Sequence, residues 1–178
     1  MGSFACRFTK TEVTALASRY SYRAGDRLDE LVSSARERGY FTKPQFLDLC
    51  YWKTPRSQSR VDSNSDELIQ EATRIALSTP HERLRIGVLT LLYGVSWPTA
   101  SVVLHFAHRD PYPILDRRAL WSLGYDKPPA LYTFGFWKEY VEFCRAMAVD
   151  CRVSMRVLDR ALWQFSKEKQ PRQEPDEL

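Results

Sequence analysis

The chain has 178 residues and a formal net charge of +4, with 26 Lys and Arg against 22 Asp and Glu. That length suits one domain with a real core, and the mild basicity is compatible with a polyanionic partner without requiring one. Cys6, Cys50, Cys144 and Cys151 form no CxxC pair and have no histidine cluster beside them, which argues against a zinc site or a disulfide framework.

Thr9 and Glu12 make a capping-box pattern ahead of Val13, Leu16 and Tyr20, and so predict a first helix. Asp26 is the expected cap of a second, with Leu28, Leu31, Val32 and Ala35 on one face and Gly39 as its stop. Thr42 and Gln45 repeat the capping box, with Pro44 in the first turn. Residues 54–65, TPRSQSRVDSNS, read as a polar loop. Helical spacing then predicts a helix over 66–77 and another opened by Thr79, Pro80 and Glu82, with Leu84, Val88, Leu91 and Leu92 at helical spacing. Two more are expected over 133–147 and 153–167.

With no alternating strand pattern and no internal repeat, the expected fold class is all-α, a helical bundle. The expected organisation is a single domain over 1–168 and a polar tail, 169–178, without fixed structure. MGSFACRFTK has no long apolar stretch, and no window approaches 18 apolar residues, so neither a leader nor a membrane span is expected. The expected location is the cytoplasm, with nucleoid association in a bacterium.

The stretch GVSWPTASVVLHF, 94–106, carries the most specific signal. Gly94 suits a positive φ at a helix end, Val95 would fold inward at the turn tip, and Ser96 and Pro98 suit the start of the next helix. Thr99 and Ala100 are small enough for close packing. A helix start of this kind offers unpaired N–H groups and a favourable dipole to an anion such as phosphate. The plainer alternative is a glycine turn that binds nothing.

Downstream, Pro113 and Leu115-Asp116 precede Arg117 and Arg118. Together, LYGVSWPTASVVLHF and YPILDRRAL resemble the signature of the helix–hairpin–helix DNA glycosylases of base excision repair. Leu92, Gly94, Val95, Thr99 and Ala100 match the family's hairpin, and Val102, Val103 and Leu104 its following helix. Pro113 matches the loop and Asp116 the acid. The match is confined to this stretch; the remainder agrees only in being helical.

The resemblance implies double-stranded DNA as partner, a backbone clamp at Gly94, Val95, Ser96 and Thr99, and Asp116 as the catalytic carboxylate. Arg117 and Arg118 would touch flanking phosphates. Trp52, Lys53 and Arg56 in YWKTPR occupy the place where the family fills the gap left by a flipped base. A structural monovalent ion at the hairpin carbonyls is a family trait; no cofactor or catalytic metal is implied. Departures are equally specific. Tyr93 replaces the family's proline, Ser96 its second glycine, and Arg117-Arg118 its usual Thr-His. Pro98 stands where bifunctional members hold a Schiff-base lysine, so lyase chemistry by that route is excluded and a monofunctional N-glycosylase is the expected activity.

Each assignment has a structural alternative. Asp116 is a good helix cap in its own right, Trp52 a good core residue, and the arginines a solvated face. His105 and His108, three apart, lack an evident third ligand and read as structural. Two alternative functions remain: a DNA-binding module without chemistry, or a helical protein–protein interaction domain. The sequence leaves the oligomeric state open.

Overall fold

A computed structural model describes residues 4–22 and 28–171. Among these, ten α-helices and two short 3-10 turns account for the secondary structure, and there is no strand. The fold is all-α, as the periodicity predicts. No helix among the described residues is long and apolar enough to cross a membrane. The expected N-cap Asp26 and residues 172–178 of the expected tail lie outside the described residues.

The first set of helices is built around a central one. Helix α2 (Leu28–Arg38), α3 (Lys43–Lys53), α5 (Asp66–Ser78) and α6 (Glu82–Leu89) all pack on α7 (Trp97–Ala107). Helix α7 is almost wholly apolar, and Ala100, Val102, Val103 and Leu104 are fully buried. A helix apolar on every side belongs at the centre, not the surface. Arg36 of α2 donates from Nε to the Phe106 carbonyl at 2.8 Å, which satisfies one acceptor that the end of α7 would otherwise leave unpaired.

The second set comprises α1 (Val13–Ser18), α8 (Arg117–Ser122), α9 (Phe134–Cys151) and α10 (Met155–Lys169). Helix α10 packs on α1, α8 and α9. Leu158, Ala161 and Leu162 of α10 are fully buried at the expected helical spacing. The N-terminal segment closes this set: the Ala5 and Arg7 amides donate to the Leu123 and Ser122 carbonyls at 3.0 and 2.9 Å.

Both predicted capping boxes form, Thr9 with Glu12 and Thr42 with Gln45. Several boundaries differ from expectation. Residues 54–65 are not one loop, because a 3-10 turn, Pro55–Ser57, leads into a short helix, α4 (Gln58–Asp62). Val61 and Asn64 anchor it, both buried. Helix α6 ends at Leu89 rather than Leu92, since the amides of Thr90, Leu91 and Leu92 turn back to carbonyls three residues earlier. Of the apolar positions expected on it, Val88 and Leu92 are buried, while Leu84 and Leu91 are 48% and 78% exposed. Helices α9 and α10 run on to Cys151 and Lys169, so the last helix passes the expected domain end at 168.

Asn64 holds the α6–α7 turn in place. Its Oδ1 accepts from the Tyr93 amide at 2.8 Å, and its Nδ2 donates to the Tyr93 and Val61 carbonyls at 3.0 and 2.8 Å. One buried amide thus replaces the helical partners that the backbone loses at the turn. Asn64→Ala leaves these groups short of partners and should lower stability by about 1–3 kcal/mol. The shift of the urea midpoint at unchanged m-value checks this.

Candidate active site

The segment Pro113-Ile114-Leu115-Asp116 is extended, and side chains from three helices fix its backbone. Asp159 of α10 accepts from the Ile114 amide at 3.2 Å, and the Tyr140 hydroxyl of α9 donates to the Ile114 carbonyl at 2.8 Å. The Ser101 hydroxyl of α7 accepts from the Leu115 amide at 2.8 Å. Asp116 therefore leaves a strapped-down segment and is held from both helix sets.

Asp116 caps α8, with Oδ1 accepting from the Arg118 amide at 2.8 Å. Its Oδ2 accepts from Lys53 Nζ at 2.5 Å. Burial pushes the Asp116 carboxyl up, but the charge and hydrogen bond of Lys53, with the Arg118 amide, outweigh it and hold the group below its ordinary value. The acid stays ionised at neutral pH. It is enclosed but reached by solvent, with 25% of its side chain exposed against 13% for Lys53.

That exposed edge faces a cavity of about 330 Å³ where the two helix sets meet. Tyr20, Tyr22, Trp52 and Trp163 line it with rings, and Lys53, Asp116, Arg118 and Asp159 line it with charge. The Tyr22 and Trp52 rings meet edge to face at 5.4 Å, and Tyr22 lies 5.3 Å from Trp163. The Arg118 guanidinium sits 5.2 Å from the Trp163 ring centre, a cation–π distance. The volume is at the low end for small-molecule sites, which run from roughly 300 to 1,000 Å³. Flat rings with a few convergent polar groups suit one planar ring system.

A second, more open concavity of about 650 Å³ lies along the α6–α7 turn. Gly94, Val95, Ser96 and Thr99 line one side, with Arg56 and Arg60 on the wall contributed by the Pro55–Ser57 turn and α4. Gly94 has φ +81° and Val95 is buried, as the turn chemistry predicts. Ser96 is the backbone cap of α7, but its hydroxyl makes no capping hydrogen bond. Pro98 brings no N–H to this first turn and Thr99 is buried, so the start of α7 presents few amides to the groove. Lys53 lines the cavity and its neighbour Thr54 lines this groove, so the end of α3 joins the two.

The remaining sequence-predicted residues divide. Arg56 is exposed on the groove, and Arg117 and Arg118 lie at the cavity. Trp52 is 5% exposed and forms cavity wall, so it offers no outward stacking surface; the Phe106 ring packs edge to face against it at 5.3 Å. Tyr51, beside it, is the exposed aromatic, at 45%. Lys53 points inward to Asp116, away from any surface phosphate track. Trp97 packs towards Trp137 with ring centres 6.3 Å apart.

His105 Nδ1 donates to the Tyr112 carbonyl at 2.6 Å, and burial holds its pKa down. His108 Nδ1 accepts from the Asp110 amide at 3.0 Å. Both are structural, and no cluster of metal-ligating side chains occurs among the described residues. The four cysteines form no disulfide; burial pushes the Cys50 thiol up to about 12, which keeps it inert.

One contributor to the site is not marked by sequence pattern: Asp159 is one more polar position on α10, and nothing local identifies it as the anchor of Ile114. Lys53 is singled out in YWKTPR, but as a contact to DNA rather than as the partner of Asp116; its place as the last residue of α3, directly after a large apolar side chain, is the available sign that it turns inward. No protein-family model matches the chain, and no curated protein or solved structure matches it.

Proposed function

We propose that the protein binds double-stranded DNA at the α6–α7 turn and releases a damaged or modified base in the neighbouring cavity, as an N-glycosylase. The observation that carries this reading is the ionised Asp116 carboxylate. It is held on a fixed backbone, faces an aromatic cavity, and lies beside a groove that carries Arg56 and Arg60 and runs to the start of α7.

Chemistry follows from those parts. A base cannot be cut within the duplex, so the nucleotide must leave the stack and enter a pocket. Phosphate in the groove at the start of α7, with Arg56 and Arg60 alongside, would fix the backbone next to the flipped nucleotide. The rings of Tyr22, Trp52 and Trp163, in contact with one another, would form the wall against which the base rests. As the C–N bond breaks, positive charge grows on the sugar, and Asp116 stabilises it and orients the attacking water. Pro98 has no amine, so the hairpin itself supplies no lyase step.

A DNA-binding module without chemistry has one observation in its favour: both Asp116 oxygens already hold partners, the Arg118 amide and Lys53. Base release from a panel of lesion-bearing duplexes, with binding followed on the same DNAs, separates the readings. Release of any base supports the glycosylase, binding without release supports the module, and no binding at low salt removes DNA altogether.

The clamp has its own signature. Arg56→Gln should weaken binding to every duplex alike and lower the slope of log K against log salt by about 0.9, one phosphate contact. An unchanged slope in a salt titration would take Arg56 off the DNA.

A further inference from the structure

We infer that Lys53 is a nucleophilic amine toward the ring-opened aldehyde of an abasic deoxyribose, giving the protein an abasic-site lyase activity in the same cavity. The inference rests on the DNA reading above and goes beyond it. Base release needs only Asp116, whereas this activity needs an amine, and the hairpin carries none.

The geometry supplies one from another helix. Lys53 Nζ lies in the cavity, 2.5 Å from Asp116 Oδ2, on a side chain that is 13% exposed. Its backbone is steadied by the Tyr22 hydroxyl, which donates to the adjacent Trp52 carbonyl at 3.0 Å. Lys53 is the one amine among the described residues lining this cavity; the other cations, Arg117 and Arg118, are guanidinium groups that do not deprotonate in proteins. An enclosed ion pair that served stability alone would favour arginine, whose fork fits a carboxylate at two points. Lysine in that place gives up geometry and keeps a group able to add to a carbonyl. Asp159, the second carboxylate of the cavity, is engaged by the Ile114 amide and by Arg156, so Asp116 is the proton acceptor that Lys53 has.

The step balances within these groups and water. Asp116 takes a proton from the Lys53 ammonium, and the free amine adds to C1′ of the aldehyde to form a carbinolamine. Asp116 returns the proton to the departing hydroxyl, which leaves as water, and a protonated imine joins Nζ to C1′. Asp116 then removes a C2′ proton. The electron pair forms the C2′–C3′ double bond as the C3′–O bond breaks, and the 3′ strand leaves with its 5′ phosphate. Water hydrolyses the imine, freeing Lys53 and an unsaturated aldehyde.

The test uses the full chain and a duplex with one preformed abasic site, made by removing uracil with a separate enzyme. No base release by this protein is needed. Cyanoborohydride reduces the imine to a stable secondary amine, and peptide mapping of the adduct locates the modified side chain in the wild-type protein. The expected result is an adduct on Lys53, together with strand cleavage that falls at least ten-fold in Lys53→Met. Binding to a duplex with a reduced abasic site, which has no aldehyde, should survive that substitution. Binding by the wild type without any adduct overturns the inference and leaves the DNA reading standing. So does an adduct that maps to another amine. Failure to bind either abasic duplex at low salt removes the DNA reading and this inference with it.

Discussion

Asp116→Asn is expected to lower base release by about a hundred- to ten-thousand-fold, the range for a lost acid–base or charge-stabilising group, while duplex binding changes little. Asparagine matches aspartate in shape and caps helices as well. Its Oδ1 can still accept from the Arg118 amide, which aspartate now does at 2.8 Å, so α8 should keep its start. What disappears is charge, and charge matters when the sugar becomes cationic. The residues proposed to hold DNA are on other elements, Gly94 to Thr99 and Arg56, and their contacts should be unchanged.

The same substitution leaves the Lys53 ammonium without its partner. Breaking a fully buried pair costs about 3–5 kcal/mol; with a quarter of the Asp116 side chain reached by solvent, about 1–2 kcal/mol is expected here. Acid titration of the wild type checks the sign. The Asp116 carboxyl lies below its ordinary value when folded, and in the unfolded chain it returns to about 3.9. Its contribution to stability is therefore complete above that pH and is lost as pH falls through the lower, folded value. The acid limb of base release should likewise lie below the ordinary carboxylate range. A limb at higher pH would mean that another group controls the rate. Single-turnover kinetics across pH, with thermal unfolding on the same samples, measures both. Equal base release by Asp116→Asn and wild type would reduce Asp116 to a helix cap.

Local rules carry most of the fold. Capping boxes at Thr9 and Thr42, and the apolar spacing of α5, α7 and α10, place these helices because each signal lies within a few residues of its effect. The turn at Gly94 is legible for the same reason. Expectation and structure part where a distant residue decides the outcome. The turn after α6 is pinned by Asn64, 29 residues earlier in the chain, which accepts from the Tyr93 amide, and no local pattern shows that. Residues 54–65 look like a loop by composition, yet buried Val61 and Asn64 fold them against the α6–α7 turn. The site divides in the same way. Asp116 is visible as a lone acid ahead of a short helix, whereas its pairing with Lys53 joins positions 63 residues apart. A buried Trp52 and an inward Lys53 follow from how α3 packs, which one sequence does not specify.

Gly94→Ala should be the most damaging small substitution in the groove, and the reason is close approach as well as backbone angle. At φ +81° an L-residue loses about 1–2 kcal/mol relative to glycine. A Cβ at this position would also lie 2.8 Å from Arg60 Cβ, 2.9 Å from the Val61 amide nitrogen and 3.0 Å from Val61 Cγ2. Two of these atoms belong to a fully buried residue of α4, and one is backbone, so relief requires moving the helix rather than turning a side chain. Overpacking of this kind adds about 1–3 kcal/mol, giving a loss of roughly 2–5 kcal/mol in all. Gly39 provides the control. It has nearly the same angle, φ +82°, but a Cβ added there would meet nothing within 4 Å, so Gly39→Ala should show the angular cost alone. Urea unfolding of the two variants isolates the contact. Since α4 carries Arg60 on the groove wall, the shift that accommodates the added methyl group at position 94 should also widen the groove and weaken DNA binding several-fold. Equal destabilisation by the two substitutions would mean that α4 does not press on the turn, and the groove would then lack the fixed wall that a phosphate clamp needs.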